Sequence, residues 1–250
     1  MSGHSKWANI KHKKGAVDAK RGKVFTKIVR VINSAVRKGG PDAGSNPTLR
    51  LALEKARAAN MPKDNIEKAI KKAAGTGDNK QDEELLYEGY AQGGVALLVE
   101  ALTDNKNRTT PEMRKIFEKG GGNLGEIGCV GWMFNKVGMI SIENCEKSED
   151  EMMEIALEHG ADDLQMDGAT AMMRTTFDDF AKVMDRIRSQ GFEVKGEIRY
   201  IADNNIPVDV EVARKVLNLM ESIEDHDDVQ NVYCNMEIPL DVQALLDAED

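Results

Sequence analysis

Between Val137 and Tyr200 the hydrophobic pattern switches between strand and helix periods in a fixed order. A strand ends near Glu143, and a helix follows from Glu149 to His159. Two strands then flank Asp167-Gly168, a favoured hairpin turn, and a second helix runs from Phe177 to Gln190. A strand from Val194 to Ile201 closes the pattern. The order βαββαβ is that of the ferredoxin-like arrangement, which confines this stretch to a narrow set of folds.

The flanks are incomplete by themselves. Glu84 to Gln92 and Val95 to Thr103 read as strands around Gly93-Gly94, a hairpin signal, and Thr109-Thr110-Pro111-Glu112 reads as a capping box opening a helix to about Lys119. After the βαββαβ stretch come one helix, Val210 to Ser222, and one strand, Val229 to Met236. These are too few for an independent domain. The economical solution is that they complete the ββα unit begun at Glu84, so that 134–204 is an insertion in a discontinuous domain of 76–133 and 205–250.

Upstream, the pattern is helical. Phe25, Ile28, Val29, Ile32 and Val36 recur at helical spacing from Asp18 to Lys38, and Gly39-Gly40-Pro41 ends the run. A second helix is expected from Pro47 to Asn60, with Asn46 as its cap and Leu49, Ala52, Leu53 and Ala56 inward. A third should run from Lys63 to Ala74, burying Ile66, Ile70 and Ala73 while Lys68, Lys71 and Lys72 face out. Three such helices make a small bundle over 18–75, preceded by an arm of 1–17. The polar segment Gly75-Thr76-Gly77-Asp78-Asn79 marks the boundary.

The formal net charge of -9 conceals a division at that boundary. Residues 1–75 hold 18 Lys+Arg against 5 Asp+Glu, whereas the remainder holds 16 against 38. A split of this size points to polyanion contact by the basic part. On the first helix Lys20, Lys23, Lys27, Arg30, Ser34 and Arg37 fall within about 60° of one another, opposite the apolar stripe. The arm adds Lys6, Lys11, Lys13 and Lys14, Arg21 follows at the helix start, and Trp7 and His12 are interleaved with the cations. Lysines and arginines displace counterions from phosphates, and an aromatic ring among them can stack on bases. Trp7 anchoring the arm onto the protein is an equal alternative.

Other chemistries fit poorly. Cys129, Cys145 and Cys234 are odd in number and widely spaced, which speaks against a disulfide framework or a thiolate metal site and for a reducing cytoplasm. Gly120, Gly122 and Gly125 match GxGxxG but follow a helix instead of a strand. Asp163 to Asp167 resembles the start of a calcium loop whose twelfth position is Arg174. Glu224-Asp225-His226-Asp227-Asp228 sits at the end of a helix that disfavours carboxylates, so it is either a solvated acidic loop or a metal or partner site. No apolar run is long enough to span a bilayer, and the basic start lacks the features of a signal peptide. No nucleophile signature occurs, and neither a metal nor a cofactor is expected.

Gly3-His4-Ser5-Lys6-Trp7-Ala8-Asn9-Ile10 and Asp18-Ala19-Lys20-Arg21-Gly22-Lys23 resemble the N-terminal signature of the YebC family. The resemblance continues through Asn60 to Asp64, Tyr87 to Tyr90, Asp104 to Thr109 and Gly121 to Gly125, and so covers essentially the whole chain. Val31 and Ala91-Gln92 depart from the family pattern. The resemblance implies an α+β protein: an N-terminal three-helix bundle plus two ferredoxin-like α/β domains, one inserted within the other. It also implies a cytoplasmic, non-enzymatic regulator of gene expression; the preferred expectation is a DNA-binding transcriptional regulator that contacts phosphates through its basic arm and first helix, and the alternative is a ribosome-associated RNA-binding translation factor. For the second, Asn105, Lys106 and Arg108 are a further contact candidate, with helix capping as their alternative role. A monomer without membrane contact is expected.

Overall fold

The computed structural model describes residues 17–75 and 82–248. Helices α1 (Val17–Gly39), α2 (Pro47–Ala58) and α3 (Lys63–Gly75) form the N-terminal bundle, with α2 and α3 both packed on α1. Their shared core holds Ile28, Ile32, Val36, Leu49, Ala56 and Ala73. Full burial of a side chain such as Ile32 contributes about 2–3 kcal/mol. Helix α3 is rotated slightly from expectation: Ala69 is buried and Ile66 and Ile70 are half-buried. Two small alanines bring α3 close to α1, and the isoleucines seal the edges of the contact.

Buried Asn46 fixes the corner between α1 and α2. Its Oδ1 accepts from the Leu49 amide at 3.0 Å, and its Nδ2 donates to the Ala35 and Gly40 carbonyls, each at 2.8 Å. Gly39 is required here because a Cβ would lie 2.7 Å from the Asn46 amide group.

The chain then forms β1 (Glu83–Tyr90) and β2 (Ala96–Thr103), antiparallel in a register pairing Glu83 with Thr103 and Tyr90 with Ala96. The turn between them places Gly93 and Gly94 at φ values of 73° and 74°, which glycine adopts without steric cost. Helix α4 (Lys106–Lys119) and the short strand β3 (Asn123–Leu124) follow. After the insertion come β8 (Ile206–Pro207), α7 (Val210–Glu224), β9 (Val229–Cys234), β10 (Met236–Glu237) and α8 (Leu240–Ala248). Strand β9 pairs with β2, giving the sheet order β3-β1-β2-β9. Leu97, Val99, Met113, Phe117, Leu219 and Val232 are among the residues of its core. The end helix α8 has no counterpart in the sequence reading.

Helix α4 starts earlier than expected. Asn105 is its cap, accepting from the Arg108 amide at 3.2 Å, and Thr109 and Pro111 lie inside the helix. The Thr109-to-Glu112 capping box is therefore not formed. Thr109 is fully buried, and its hydroxyl donates to Asp228 at 2.7 Å.

Two compact units result. One comprises the described residues up to 134 together with 202–248, and the other is Asn135–Ile201. The second contains most of β4 (Phe134–Ile142), then α5 (Glu149–His159), β5 (Asp163–Asp167), β6 (Thr170–Thr176), α6 (Phe180–Ser189) and most of β7 (Val194–Ala202). Its sheet order, β5-β6-β4-β7, is the ferredoxin-like order expected for a βαββαβ chain. Where the chain leaves and re-enters the first unit, the Asp203 amide donates to the Met133 carbonyl at 2.9 Å.

Candidate nucleic-acid interface

Helix α1 is packed on two sides. The cationic side, read from sequence as lying away from the core, meets the acid-rich turn after α7. Lys23 Nζ lies 3.0 Å from Asp225 Oδ2, and Lys27 Nζ donates to the Glu224 carbonyl at 2.6 Å. Arg30 pairs with the Asp228 carboxylate and also reaches the Leu102 carbonyl at 3.3 Å. Arg37 lies 3.7 Å from Asp82, Lys38 pairs with Glu84 at 2.6 Å, and Ser34 is buried between these contacts. The stripe is thus a contact between the bundle and the α/β part of the same unit. The C-terminal carbonyls of α7 carry partial negative charge, and lysines from another helix supply the compensation that α7 lacks in its own last turn.

Asp228 is the centre of this contact. Its side chain is about 1% exposed. Oδ2 accepts from Arg108 at 2.6 Å, Thr109 at 2.7 Å and Thr103 at 3.1 Å, while Oδ1 accepts from Arg30. Burial alone would raise the carboxyl's pKa, but the Thr109 hydroxyl and the Arg30 and Arg108 guanidiniums together hold it well below the usual carboxylate range. The Asp228 amide donates to His226 Nδ1 at 3.1 Å, which leaves Nε2 as the protonated nitrogen facing Glu112 at 2.9 Å. Among the described residues no group of three or more His, Cys, Asp or Glu side chains could hold a metal ion. The acidic cluster is engaged internally by Lys23, Lys27 and Arg30 of the basic helix together with Thr103, Arg108, Thr109 and Glu112.

The other candidates divide as follows. Lys6, Trp7, Lys11, His12, Lys13 and Lys14 lie outside the described residues, and Lys20 and Arg21 are placed only as backbone within α1. Asn105 caps α4, Lys106 is exposed in its first turn, and Arg108 is engaged with Asp228, Asp104 and Glu112. Exposed cations do occur on the bundle's outer helices, at Arg57 of α2 and at Lys63, Lys68 and Lys71 of α3.

Residues 5–76 match the family described as the TACO1/YebC protein N-terminal domain, and residues 82–236 match the TACO1/YebC second and third domain. The chain belongs to the TACO1/YebC family. A relative from Dictyoglomus turgidum is 51% identical over 241 residues, covering 96% of this chain and 97% of the relative. One from Treponema denticola is 51% identical over 240 residues with the same coverage. Both carry the name "Probable transcriptional regulatory protein". The crystal structure of a conserved hypothetical protein from Aquifex aeolicus matches with a TM-score of 0.80 at 45% identity, covering 90% of this chain and 94% of that one.

Within this TACO1/YebC chain, sequence reasoning missed two features. Nothing in periodicity distinguishes Asp228 from its acidic neighbours, because its role is set by four donor residues far away in sequence, Arg30, Thr103, Arg108 and Thr109. Glu88 on β1 was likewise not singled out. It is buried, and its carboxylate accepts from the amides of Gly128, Val130 and Gly131. The signal available was an acid beyond the apolar run Leu85-Leu86-Tyr87 of a strand that also carries Glu83 and Glu84, and it reads equally well as a solvent-facing position.

Proposed function

We propose that this protein is a nucleic-acid-binding regulator of gene expression, and specifically a DNA-binding transcriptional regulator that grips phosphates through its N-terminal part. The observation that carries the reading is the charge split: 18 of the 34 Lys and Arg residues lie in the first 75 positions. The names of the relatives support a role in regulation. Because Lys23, Lys27 and Arg30 of α1 are engaged internally, the outward cations of α2 and α3 join the arm as the phosphate-contacting set. The connection from Gly40 to Asn46 is longer than a helix-turn-helix turn, so contact to backbone and groove shape dominates over base reading.

The test is a salt titration of duplex binding by the full chain. Each true phosphate contact removed lowers the slope of log affinity against log salt by about 0.9. Arg57→Ala, Lys68→Ala and Lys71→Ala together reduce the slope with little change in Tm. An unchanged slope assigns the contacts elsewhere, and no duplex binding at all ends the reading.

A translation factor on ribosomal RNA is the second reading. It is favoured by the acidic character of residues 76–250, which hold 16 Lys+Arg against 38 Asp+Glu and suit a neighbourhood of basic proteins. Ribosome association that excess duplex DNA fails to displace would select it.

A further inference from the structure

The segment from Gly125 to Met133, which links β3 to β4, is held rigidly and displays two bulky apolar side chains. Glu88 Oε1 accepts from the Gly128 amide at 2.8 Å, and Oε2 accepts from Val130 at 2.8 Å and Gly131 at 2.5 Å. The Gly125 amide donates to the Glu88 carbonyl at 2.8 Å, and the Tyr90 hydroxyl donates to the Cys129 carbonyl at 3.1 Å. Val130 is fully buried beneath the segment. On the outside, Ile127 is 91% exposed and Trp132 is 72% exposed. Large apolar side chains carried at solvent on a backbone already fixed by hydrogen bonds suit a binding hot spot, because little backbone ordering entropy remains to be lost on docking.

Three further observations identify the kind of occupant. The backbone amides that could have cradled a phosphate are already filled by the Glu88 carboxylate. Trp132 Nε1 donates to the Cys129 carbonyl at 3.3 Å, so the indole offers its ring surface and no free donor. Residues 125–133 contain Glu126 and no cation, and the α/β part of this unit, 82–134 with 202–248, holds 7 Lys+Arg against 20 Asp+Glu. Such a surface repels phosphates and attracts cations. We propose that Ile127 and Trp132 form a docking point for a basic protein partner, with an arginine or lysine of that partner lying over the Trp132 ring beside Glu126.

The position suits a second ligand. Asp228 and the bundle contact the end of the sheet where Glu83 pairs with Thr103, whereas this segment lies at the end where Tyr90 pairs with Ala96. Roughly 24 Å of strand separates the two ends. The bundle can therefore hold its ligand while the loop engages a partner.

The experiment places a photo-crosslinking residue, benzoyl-phenylalanine, at position 127 of the full chain expressed in its native host, with adduct peptides mapped by mass spectrometry. The expected adduct is to another protein, at a segment carrying lysine or arginine. Trp132→Ala and, independently, Glu126→Lys should each lower its yield by about tenfold or more. Both variants should retain the parent Tm and nucleic-acid affinity, which separates this proposal from the function proposed above. Adducts to nucleic acid, to a second copy of the chain, or to segments without cations would overturn it, as would the absence of any adduct.

Discussion

Arg30 of α1 and Asp228, 198 residues apart in the chain, form an ion pair in which the arginine side chain is 26% exposed and the aspartate 1%. The pair ties the bundle to the turn before β9, and Arg108, Thr103 and Thr109 complete the aspartate's partners.

Removing the charge from this centre should be costly. Asp228→Asn keeps the shape but leaves two guanidiniums facing a neutral amide, one of whose ends is itself a donor. Breaking a buried pair by altering one partner costs about 3–5 kcal/mol, and urea denaturation should show a loss near the low end of that range. Lys23→Ala, an exposed pair, should change stability by less than about 1 kcal/mol.

The same group sets an acid response. Its folded pKa is depressed below its unfolded value, so its stabilisation is complete above the unfolded value of about 3.9 and is lost as pH falls toward the folded pKa. The Tm difference between the parent and Asp228→Asn should accordingly be constant above about pH 5 and shrink below about pH 4. A difference that stays constant down to pH 2 would contradict the assignment.

Glu88→Gln should loosen the loop and spare the core. The glutamine carbonyl accepts at one side only, and its amino group confronts backbone amides that need an acceptor. Hydrogen exchange at Gly128, Val130 and Gly131 should accelerate by about tenfold or more, following the loss of charged hydrogen bonds worth about 1.5–3 kcal/mol. Exchange in β2 should be little changed.

Gly122→Ala should destabilise the first α/β core by about 1–3 kcal/mol. A Cβ there would lie 2.7 Å from the Tyr90 carbonyl and 3.0 Å from Leu219 Cδ2. Since the carbonyl belongs to a paired strand, the backbone must move. A calorimetric Tm equal to that of the parent would refute this.

The elements legible in sequence are those whose pattern is set locally. The alternation around Asp167-Gly168 and the apolar period of Ile28, Ile32 and Val36 reflect a single buried face each, and the structure has them where the pattern puts them. What was hidden depends on partners distant in sequence. Thr109 looked like a cap because Glu112 follows it three residues later, yet its hydroxyl donates to Asp228 instead of accepting from a backbone amide of its own helix. The cations opposite the apolar stripe read as a face for polyanions because a helical wheel has no knowledge of a second neighbour. Ile127 and Trp132 were invisible for the opposite reason: the sequence gives apolar residues no mark that separates those displayed from those buried.

The hydrogen bond from the Asp203 amide to the Met133 carbonyl bears on how such a chain could have been assembled. It holds together the two strands of backbone that leave for the inserted domain, so the host already encloses the gap. Closing a loop costs only about 0.6 kcal/mol more for each doubling of its length. With the ends held at that junction, the host fold is nearly indifferent to what lies between them. A change in the length or surface of the inserted domain should therefore cost the first unit little, so long as the two ends still meet at Met133 and Asp203.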